Sequence, residues 1–239
     1  MSEIVPGVHQ IDGLIPWPWG AIVFLLTGER LALVDTGPMG SATAIERYVR
    51  RIGRRMAELD LVVLTHHHID HTGALAEIRR RYDVRVAAHE AEVGYIEGRI
   101  PPAHSVGGGL RGLFLDLIEP FIRVDPAHVD LVLHDGSELD ILGGVRVVHT
   151  PGHTPGSICL YIPSRLLALV GDAFSIKRRG LELPTHVSTV DMDLARRSLY
   201  RLADLDLRVV CPSHGKPFVG DASRKLREFL AGDAPRHGP

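Results

Sequence analysis

The chain has 239 residues, 45% of them apolar and 23% charged, and its formal net charge is −2. This length suits one domain or a compact pair with a sizeable core, and the near-neutral charge argues against a general nucleic-acid-binding surface. No basic N-terminal segment precedes an apolar run, and no stretch reaches the roughly 18 apolar residues of a membrane span. We therefore expect a globular cytoplasmic protein that has neither a nucleic-acid nor a membrane partner.

The N-terminal part of the chain is predicted to form strands before its first helix. Apolar runs predict strands at residues 5–10, 21–27 and 30–35, with Gly28-Glu29 as a tight turn. Trp17 and Trp19, the two tryptophans of the protein, lie in a proline-containing loop between the first two strands. This loop either packs on the core or forms an apolar flap over a site. A helix follows at residues 41–56, where the apolar side chains share one face.

A cluster of metal-binding residue types follows the next predicted strand. Residues 61–64 are apolar and predict a buried strand, and residues 72–82 have helical spacing. Between them lies Thr65-His66-His67-His68-Ile69-Asp70-His71, with four histidines and one aspartate in six positions. Imidazole and carboxylate together suit zinc, iron or manganese better than calcium or magnesium. His67 alternates with its two neighbours, so we expect it to point away from them and to be structural.

The middle of the chain is predicted to contain one strand and an amphipathic insertion. A strand is predicted at residues 84–88, and His89 at its end is interpreted as structural. The insertion covers residues 94–126 and begins with a loop that has two prolines and three consecutive glycines. Six apolar residues at helical spacing then predict a helix of about three turns: Leu110, Leu113, Phe114, Leu117, Ile118 and Phe121. Plain packing is favoured for this helix over a lid or a homodimer contact.

The C-terminal half is predicted to alternate antiparallel strands with two helices. Strands are predicted at residues 131–134, 138–142, 145–149, 157–162, 166–170 and 208–211, and 208–211 is taken as the last strand. Helices are predicted at residues 192–205 and 222–231, and the tail 232–239 is expected to fray. Cys159 and Cys211 lie in strand-like runs, which favours buried free thiols over a disulfide or, for Cys211, a metal thiolate.

Five segments of the sequence resemble, in order, the motifs of the metallo-β-lactamase superfamily. The pattern His66-x-His68-x-Asp70-His71 is similar to that family's signature. The other matches are Val34-Asp35-Thr36-Gly37, Gly152-His153-Thr154-Pro155-Gly156-Ser157, Gly171-Asp172 and Ser213-His214-Gly215. An ordered set of matches is far more specific than one short motif. The resemblance implies an α/β (α+β) protein, with residues 1–239 forming a single domain folded as a four-layer αββα sandwich.

The resemblance also implies a dinuclear metal site. The ligands of the first ion would be His66, His68 and His153. Those of the second would be Asp70, His71 and His214, with Asp172 as a bridge. Asp35 would tie down a ligand loop from behind. Two transition-metal ions are expected, with zinc preferred and iron or manganese as alternatives.

The same resemblance implies a class of reaction. A hydroxide that bridges the two ions would attack a carbonyl, and Asp70 would orient it and shuttle its proton. The expected activity is hydrolysis of a carboxylic ester, lactone, thioester or amide bond in a small-molecule substrate. The alternatives are a mononuclear iron persulfide dioxygenase, a phosphodiesterase, a β-lactamase and a non-catalytic, metal-stabilised binding module.

Substrate contacts are predicted in two loops. Trp17 and Trp19 would supply apolar walls. Lactonases of this family place a tyrosine three residues after the bridging aspartate, where this chain has Ser175, so the resemblance to lactonases is incomplete. Lys177 opens a basic run that could hold an anionic group, and His186 lies where substrate loops of the family run.

Overall fold

The computed structural model describes residues 1–12, 21–101, 124–178 and 180–232. The predictions for Trp17, Trp19, the helix at 110–121 and the tail beyond residue 232 lie outside the described residues, as does Arg179 of the basic run. In the part of the chain that is described, no helix is long and apolar enough to cross a membrane.

The first sheet contains seven strands in chain order. These are β1 (Ser2–Val5), β2 (Val8–Ile11), β3 (Val23–Thr27), β4 (Leu31–Val34), β5 (Leu59–Val63), β6 (Arg85–His89) and β7 (Leu131–Leu133). Strands β1 to β4 are antiparallel neighbours, whereas β4 to β7 run parallel. Parallel neighbours need crossover connections, and each connection between β4 and β7 contains at least one helix. These helices are α1 (Ala42–Arg51), α2 (Ile69–Thr72), α3 (Leu75–Arg81) and α4 (Glu90–Ile96), with a short 3-10 helix at Met56–Glu58.

The second sheet has the order β15-β14-β11-β10-β9-β8. Its strands are β8 (Glu138–Leu139), β9 (Val145–His149), β10 (Ile158–Ile162), β11 (Leu167–Gly171), β14 (Val209–Pro212) and β15 (Phe218–Val219). A separate two-stranded sheet consists of β12 (Ser175–Lys177) and β13 (Gly180–Glu182). The remaining helices are α5 (Met192–Ala203) and α6 (Ala222–Gly232), with short 3-10 helices at Pro163–Arg165 and His186–Ser188.

Three apolar layers separate the sheets and helices. On β3, Leu25 packs in a cluster with the inward side chains of α1 and α3, while Phe24 faces the second sheet. A cluster between the sheets joins Phe24 to Leu160 of β10, and a third joins the outer face of the second sheet to Leu199 of α5. Strands buried on both faces in this way form the middle layers of a four-layer αββα sandwich. The predicted fold is therefore confirmed.

Several predicted elements differ from those observed. The single strand predicted at 5–10 is instead the end of β1, a turn and most of β2, because Pro6-Gly7 reverses the chain. The strand predicted at 131–134 does not pair with 138–142, since β7 lies parallel to β6 in the first sheet. Residues 208–211 are not the last strand, because β15 follows and pairs with β14. The first helix ends at Arg51, well before residue 56.

Helix α4 and the β12–β13 pair were not predicted. Their sequences are short and carry polar residues at the positions where a longer element would show apolar periodicity. The prediction for the cysteines is confirmed. Cys159 and Cys211 are free and buried, and burial raises the pKa of the Cys159 thiol to about 12.

Candidate metal centre

Seven side chains that follow the ends of strands meet at one edge of the sandwich. They come after β5, β9, β11 and β14. In the second sheet, β9 and β11 are both antiparallel to β10, and β14 is parallel to β11, so these three strands end at the same edge. The side chains form three overlapping groups with ligand atoms within 4.8 Å of one another: His66–His68–His153, His66–His71–Asp172 and Asp70–His71–His214.

The first group directs one nitrogen of each imidazole at a common point. His68 Nδ1 lies 3.1 Å from His66 Nε2 and 3.0 Å from His153 Nε2. The other ring nitrogen of His66 lies 3.1 Å from Thr65 Oγ1, which itself donates to Asp35 Oδ2. The Thr65 oxygen must therefore accept from His66 Nδ1, which leaves the Nε2 lone pair of His66 facing the cleft.

Asp172 lies between the first group and the others. Its Oδ1 is 3.4 Å from His71 Nε2, while its Oδ2 is 3.5 Å from His153 Nε2 and 3.4 Å from His214 Nε2. Asp70 Oδ2 is 3.1 Å from His214 Nε2. The side chains of Asp70 and His214 are about one quarter exposed, whereas that of His71 is fully buried, so the cleft opens on the side of Asp70 and His214.

Burial and neighbouring charges set the protonation states of these groups. Burial lowers the pKa of all three histidines of the first group, so their rings are neutral and offer lone pairs. Burial opposes ionisation of Asp172, but His71 and His214 outweigh it and hold the pKa of this carboxyl well below its usual range. Burial is likewise outweighed at His214, whose pKa Asp172 and Asp70 raise to about 9. The first group thus offers three neutral imidazole nitrogens, and it adjoins the carboxylates of Asp70 and Asp172.

Two buried polar atoms at the centre have no hydrogen-bond partner among the described residues. They are His71 Nε2 and Asp172 Oδ1, which face each other across 3.4 Å. Buried polar atoms are nearly always paired, so an orphaned imidazole nitrogen beside an orphaned carboxylate oxygen needs a reason. A cation accepts both lone pairs, and this donor chemistry suits a transition metal. The residues present therefore fit a metal ion.

Asp35 lies behind the cleft and contacts both Thr65 and His71. Its Oδ2 accepts from His71 Nδ1 at 2.7 Å and from Thr65 Oγ1 at 2.8 Å, and its Oδ1 accepts from Thr65 N at 2.8 Å. The backbone of Asp35 has φ of +62°, a left-handed conformation that Asp and Asn tolerate better than other residues with side chains. Because Asp35 accepts the hydrogen bond from His71 Nδ1, the other ring nitrogen of His71, Nε2, is directed toward Asp70 and Asp172.

The loop of His153 is fitted closely against helix α5. Gly152 has φ of +131°, and a Cβ there would lie 2.1 Å from Ala195 N, so no other residue fits. The carbonyl oxygen of His153 accepts from Val190 N at 3.2 Å, and its ring Nδ1 lies 3.2 Å from Thr189 Oγ1. These contacts fix the direction in which the ring of His153 points.

Three other histidines near the cleft belong to none of the metal-capable groups of the described residues. The ring of His67 meets that of His68 edge-on at 5.0 Å between centroids and stacks on Tyr95 at 4.3 Å. His89 and His149 stack on each other at 3.9 Å. His149 Nε2 lies 3.0 Å from Pro155 O. Cys211 also lies outside these groups.

Of the residues predicted to contact substrate, Ser175 and Lys177 lie on β12, and His186 lies in the 3-10 helix that follows β13. A bridge between Ile176 and Gly215 places the β12–β13 pair next to the loop of His214. Ser175, the first residue of β12, is 9% exposed. Lys177 Nζ pairs with Glu182 at 2.7 Å, a partner that was not predicted from the sequence. His186 is exposed, and its role in binding substrate stays a prediction, as does that of Ser175.

Three residues that hold the site together were not predicted from the sequence. Thr65 and Thr189 contact ring nitrogens of His66 and His153. Glu92 is a fully buried acid that hydrogen-bonds both histidine-bearing loops. Thr65 adjoins the histidine cluster, which is a usable signal, but nothing in the local sequence distinguishes Glu92 or Thr189 from surface polar residues.

An αββα sandwich with clustered histidines and aspartates at one edge defines a metal-binding protein, and comparison with known proteins agrees. Residues 18–214 match the family model of the metallo-β-lactamase superfamily. The "Probable metallo-hydrolase YflN" of Bacillus subtilis (strain 168) is 32% identical over 216 residues, which cover 83% of this chain and 80% of that protein. The crystal structure of the metallo-β-lactamase family protein TTHA1429 from Thermus thermophilus has a TM-score of 0.74 and 29% identity, covering 96% of this chain and 80% of that one.

A third relative is the metallo-β-lactamase fold-containing protein ST1585 of Sulfurisphaera tokodaii. It is 28% identical over 232 residues, which cover 93% of this chain and 82% of that protein. The chain therefore belongs to the metallo-β-lactamase superfamily. The similarity to the named relatives supports hydrolytic metal chemistry at the level of the superfamily.

Proposed function

We propose that this chain is a dinuclear metal-dependent hydrolase of carboxylic ester, lactone, thioester or amide bonds. The observation that carries the proposal is the position of Asp172, whose two oxygens face different histidines of two adjoining ligand groups. A carboxylate in that position can bridge two ions. The residues that would hold the ions are His66, His68 and His153 for one, Asp70, His71 and His214 for the other, and Asp172 for both. Zinc is preferred, since the sets combine imidazole with carboxylate.

The bound ions would supply an activated water and polarisation of the substrate carbonyl. The chain itself would supply orientation and a proton acceptor. Asp70 lies at the open side of the cleft. Burial opposes its ionisation, but His71 and His214 hold its pKa below the usual value, so it is a carboxylate at neutral pH. We assign to Asp70 the role of orienting the attacking water and accepting its proton.

Two exposed valines near the loop of His153 support an apolar acyl group. Val190 donates its backbone N–H to the carbonyl of His153, and its side chain is exposed, as is that of nearby Val187. Exposed valines beside a polar centre suit an aliphatic part of a substrate. The predicted role of Lys177 in holding an anionic group competes with its ion pair to Glu182.

A metal analysis tests the number of ions. Purified protein is expected to bind two transition-metal ions per chain, and removing them with a chelator should abolish turnover. The thermal midpoint should also fall, because a ligand that binds only the folded state at about 100 times its Kd stabilises that state by roughly 2.7 kcal/mol. A plateau at one ion with full activity would contradict the dinuclear site and favour the persulfide dioxygenase.

A substrate panel on fully metallated protein tests the reaction. We expect kcat/KM to be highest for activated esters or lactones with apolar acyl chains, and lower for β-lactams, because an amide leaving nitrogen must be protonated. Thioesters, phosphodiesters and a persulfide complete the panel. A lead for phosphodiesters would overturn hydrolysis at a carbonyl, and a lead for β-lactams would place the protein with the β-lactamases. Metal binding without any turnover would support the binding module.

The substitution Val190→Ser tests whether Val190 contacts the acyl group of the substrate. It should lower kcat/KM for long acyl chains more than for acetyl esters, by about tenfold if roughly 1.5 kcal/mol of apolar contact is lost. The matched change is Val219→Ser on β15, since Val219 is also exposed but lies away from the cleft. Equal effects of the two substitutions would contradict an acyl contact at Val190.

A further inference from the structure

The buried carboxylate of Glu92 receives four hydrogen bonds, and all of them come from outside its own helix. Oε2 accepts from the backbone N–H of His67 at 2.8 Å and from the ring Nδ1 of the same residue. Oε1 accepts from Thr154 Oγ1 at 2.8 Å and from Gly156 N at 2.7 Å. The side chain has no exposed surface, so its charge depends entirely on these donors.

The donors belong to the two loops that carry the first ligand group. His67 stands between His66 and His68, in the loop after β5 of the first sheet. Thr154 follows His153 directly, in the loop after β9 of the second sheet. One carboxylate therefore links two ligand loops that belong to different sheets.

The surroundings of Glu92 are shaped for this link. A Cβ at Gly156 would lie 2.7 Å from Glu92 Cγ and 2.8 Å from Oε1, so the absence of a side chain lets the backbone N–H reach the carboxylate. The ring of His67 lies flat on Tyr95 of the same helix, 13° from parallel. His89 is the N-cap of helix α4, since its Nδ1 accepts from Ala91 N. The ring of His89 stacks on that of His149. Helix α4, which carries Glu92, is thus held by the contact of Tyr95 with His67 and by that of His89 with His149.

We propose that Glu92 is a positioning residue that clamps the loop of His66 and His68 to the loop of His153, and so presets the spacing of the three nitrogens. This rests on the proposed function, since both take these three histidines as the ligands of one ion. The clamp acts before metal binds, because the hydrogen bonds exist among protein groups alone. Its consequence is a higher affinity for the ion, since a preset site needs less ordering on binding.

Titration of metal-free protein with Co²⁺, followed by its visible absorption, measures the clamp without using activity. Glu92→Gln has the same size, but its NH₂ end cannot accept, so at least one backbone N–H of the two loops loses its acceptor. We expect Co²⁺ affinity to fall about 10- to 100-fold, with an altered visible spectrum of the first equivalent. The matched control is Ser223→Ala, because Ser223 Oγ is a buried group that bonds Leu207 N at 2.7 Å and Leu205 O at 2.8 Å, at the opposite end of β14.

Ser223→Ala should lower the thermal midpoint of the metal-free protein but leave Co²⁺ affinity and spectrum unchanged. Thr154→Val removes one of the four bonds to Glu92, together with the contact of Thr154 Oγ1 with Ser157 Oγ at 2.7 Å. It should weaken Co²⁺ binding several-fold, an effect that should be smaller in the Glu92→Gln background. If Glu92→Gln does not fold, Thr154→Val alone decides the question by its affinity relative to Ser223→Ala.

Wild-type affinity and spectrum in Glu92→Gln or, where that variant fails to fold, in Thr154→Val would overturn the clamp. A wild-type protein that binds no Co²⁺ would overturn both the clamp and the proposed function. A wild-type protein that binds Co²⁺ but hydrolyses nothing would sink only the proposed function, because the affinity comparison between variants would still stand.

Discussion

Replacing Asp172 by Ala is expected to lower kcat/KM roughly 1,000-fold or more and to reduce the bound metal from two ions toward one. Asp172 Oδ1 faces His71 at 3.4 Å, and Oδ2 faces both His153 at 3.5 Å and His214 at 3.4 Å. The carboxylate thus contacts both ligand groups, so its loss uncouples them. Metal ions contribute several kcal/mol of transition-state stabilisation in hydrolases, and about 4 kcal/mol corresponds to this change in rate. Metal analysis and steady-state kinetics on the same preparation measure both effects.

Asp60→Ala is the matched control for this substitution. Asp60 lies on β5, the strand that leads to the histidine cluster, but it pairs with Arg30 and Arg85 at the surface. Exposed ion pairs contribute little, so this variant should keep its metal and activity. An Asp172→Ala protein that retains two ions and works within tenfold of wild type would exclude the bridging role.

Replacing Asp35 should weaken metal binding without removing a ligand. In Asp35→Asn, the amide NH₂ must face either His71 Nδ1 or a donor of Thr65, so at least one bond of the carboxylate is lost. The affinity for the ion held by Asp70, His71 and His214 should fall about 10- to 100-fold. Asp35→Ala should also lower the free energy of unfolding by about 3–5 kcal/mol, because it removes one partner of a buried pair. Metal titration and denaturant unfolding measure the two effects separately.

Comparing Asp35→Asn with Asp35→Ala separates the effect of the lost side-chain hydrogen bonds from the effect of backbone strain. Asparagine adopts the observed φ of +62° at a lower cost than alanine, so Asp35→Ala adds more backbone strain than Asp35→Asn. Asp130→Asn serves as the control, since Asp130 Oδ2 also accepts a backbone N–H, from Val86, away from the metal centre. If Asp35→Asn binds metal as tightly as Asp130→Asn does, then Asp35 does not orient His71.

The buried strands follow from local patterns in the sequence, and the resemblance carried by the ordered motifs implied the four-layer fold and the residues at the cleft. Apolar runs at β3, β5, β10 and β11 are long enough to predict strands buried on both faces, and such strands need layers above and below them. The motif residues follow strand ends because polar side chains there meet water and substrate without disturbing the core. Sequence patterns alone therefore suffice to place the following residues at the ends of strands: His66, Asp70, His153, Asp172 and His214.

The distant groups that orient those residues are defined by the three-dimensional packing and not by any local pattern. Glu92 is 25 positions from His67 and 62 from Thr154, and Thr189 is 36 from His153, so no short motif links them. The sheet to which β7 belongs was also beyond local reasoning, because a three-residue strand can pair with any free edge. Hydrophobic periodicity reports which face of an element is buried, whereas the partner that covers that face is set by the packing of the whole chain.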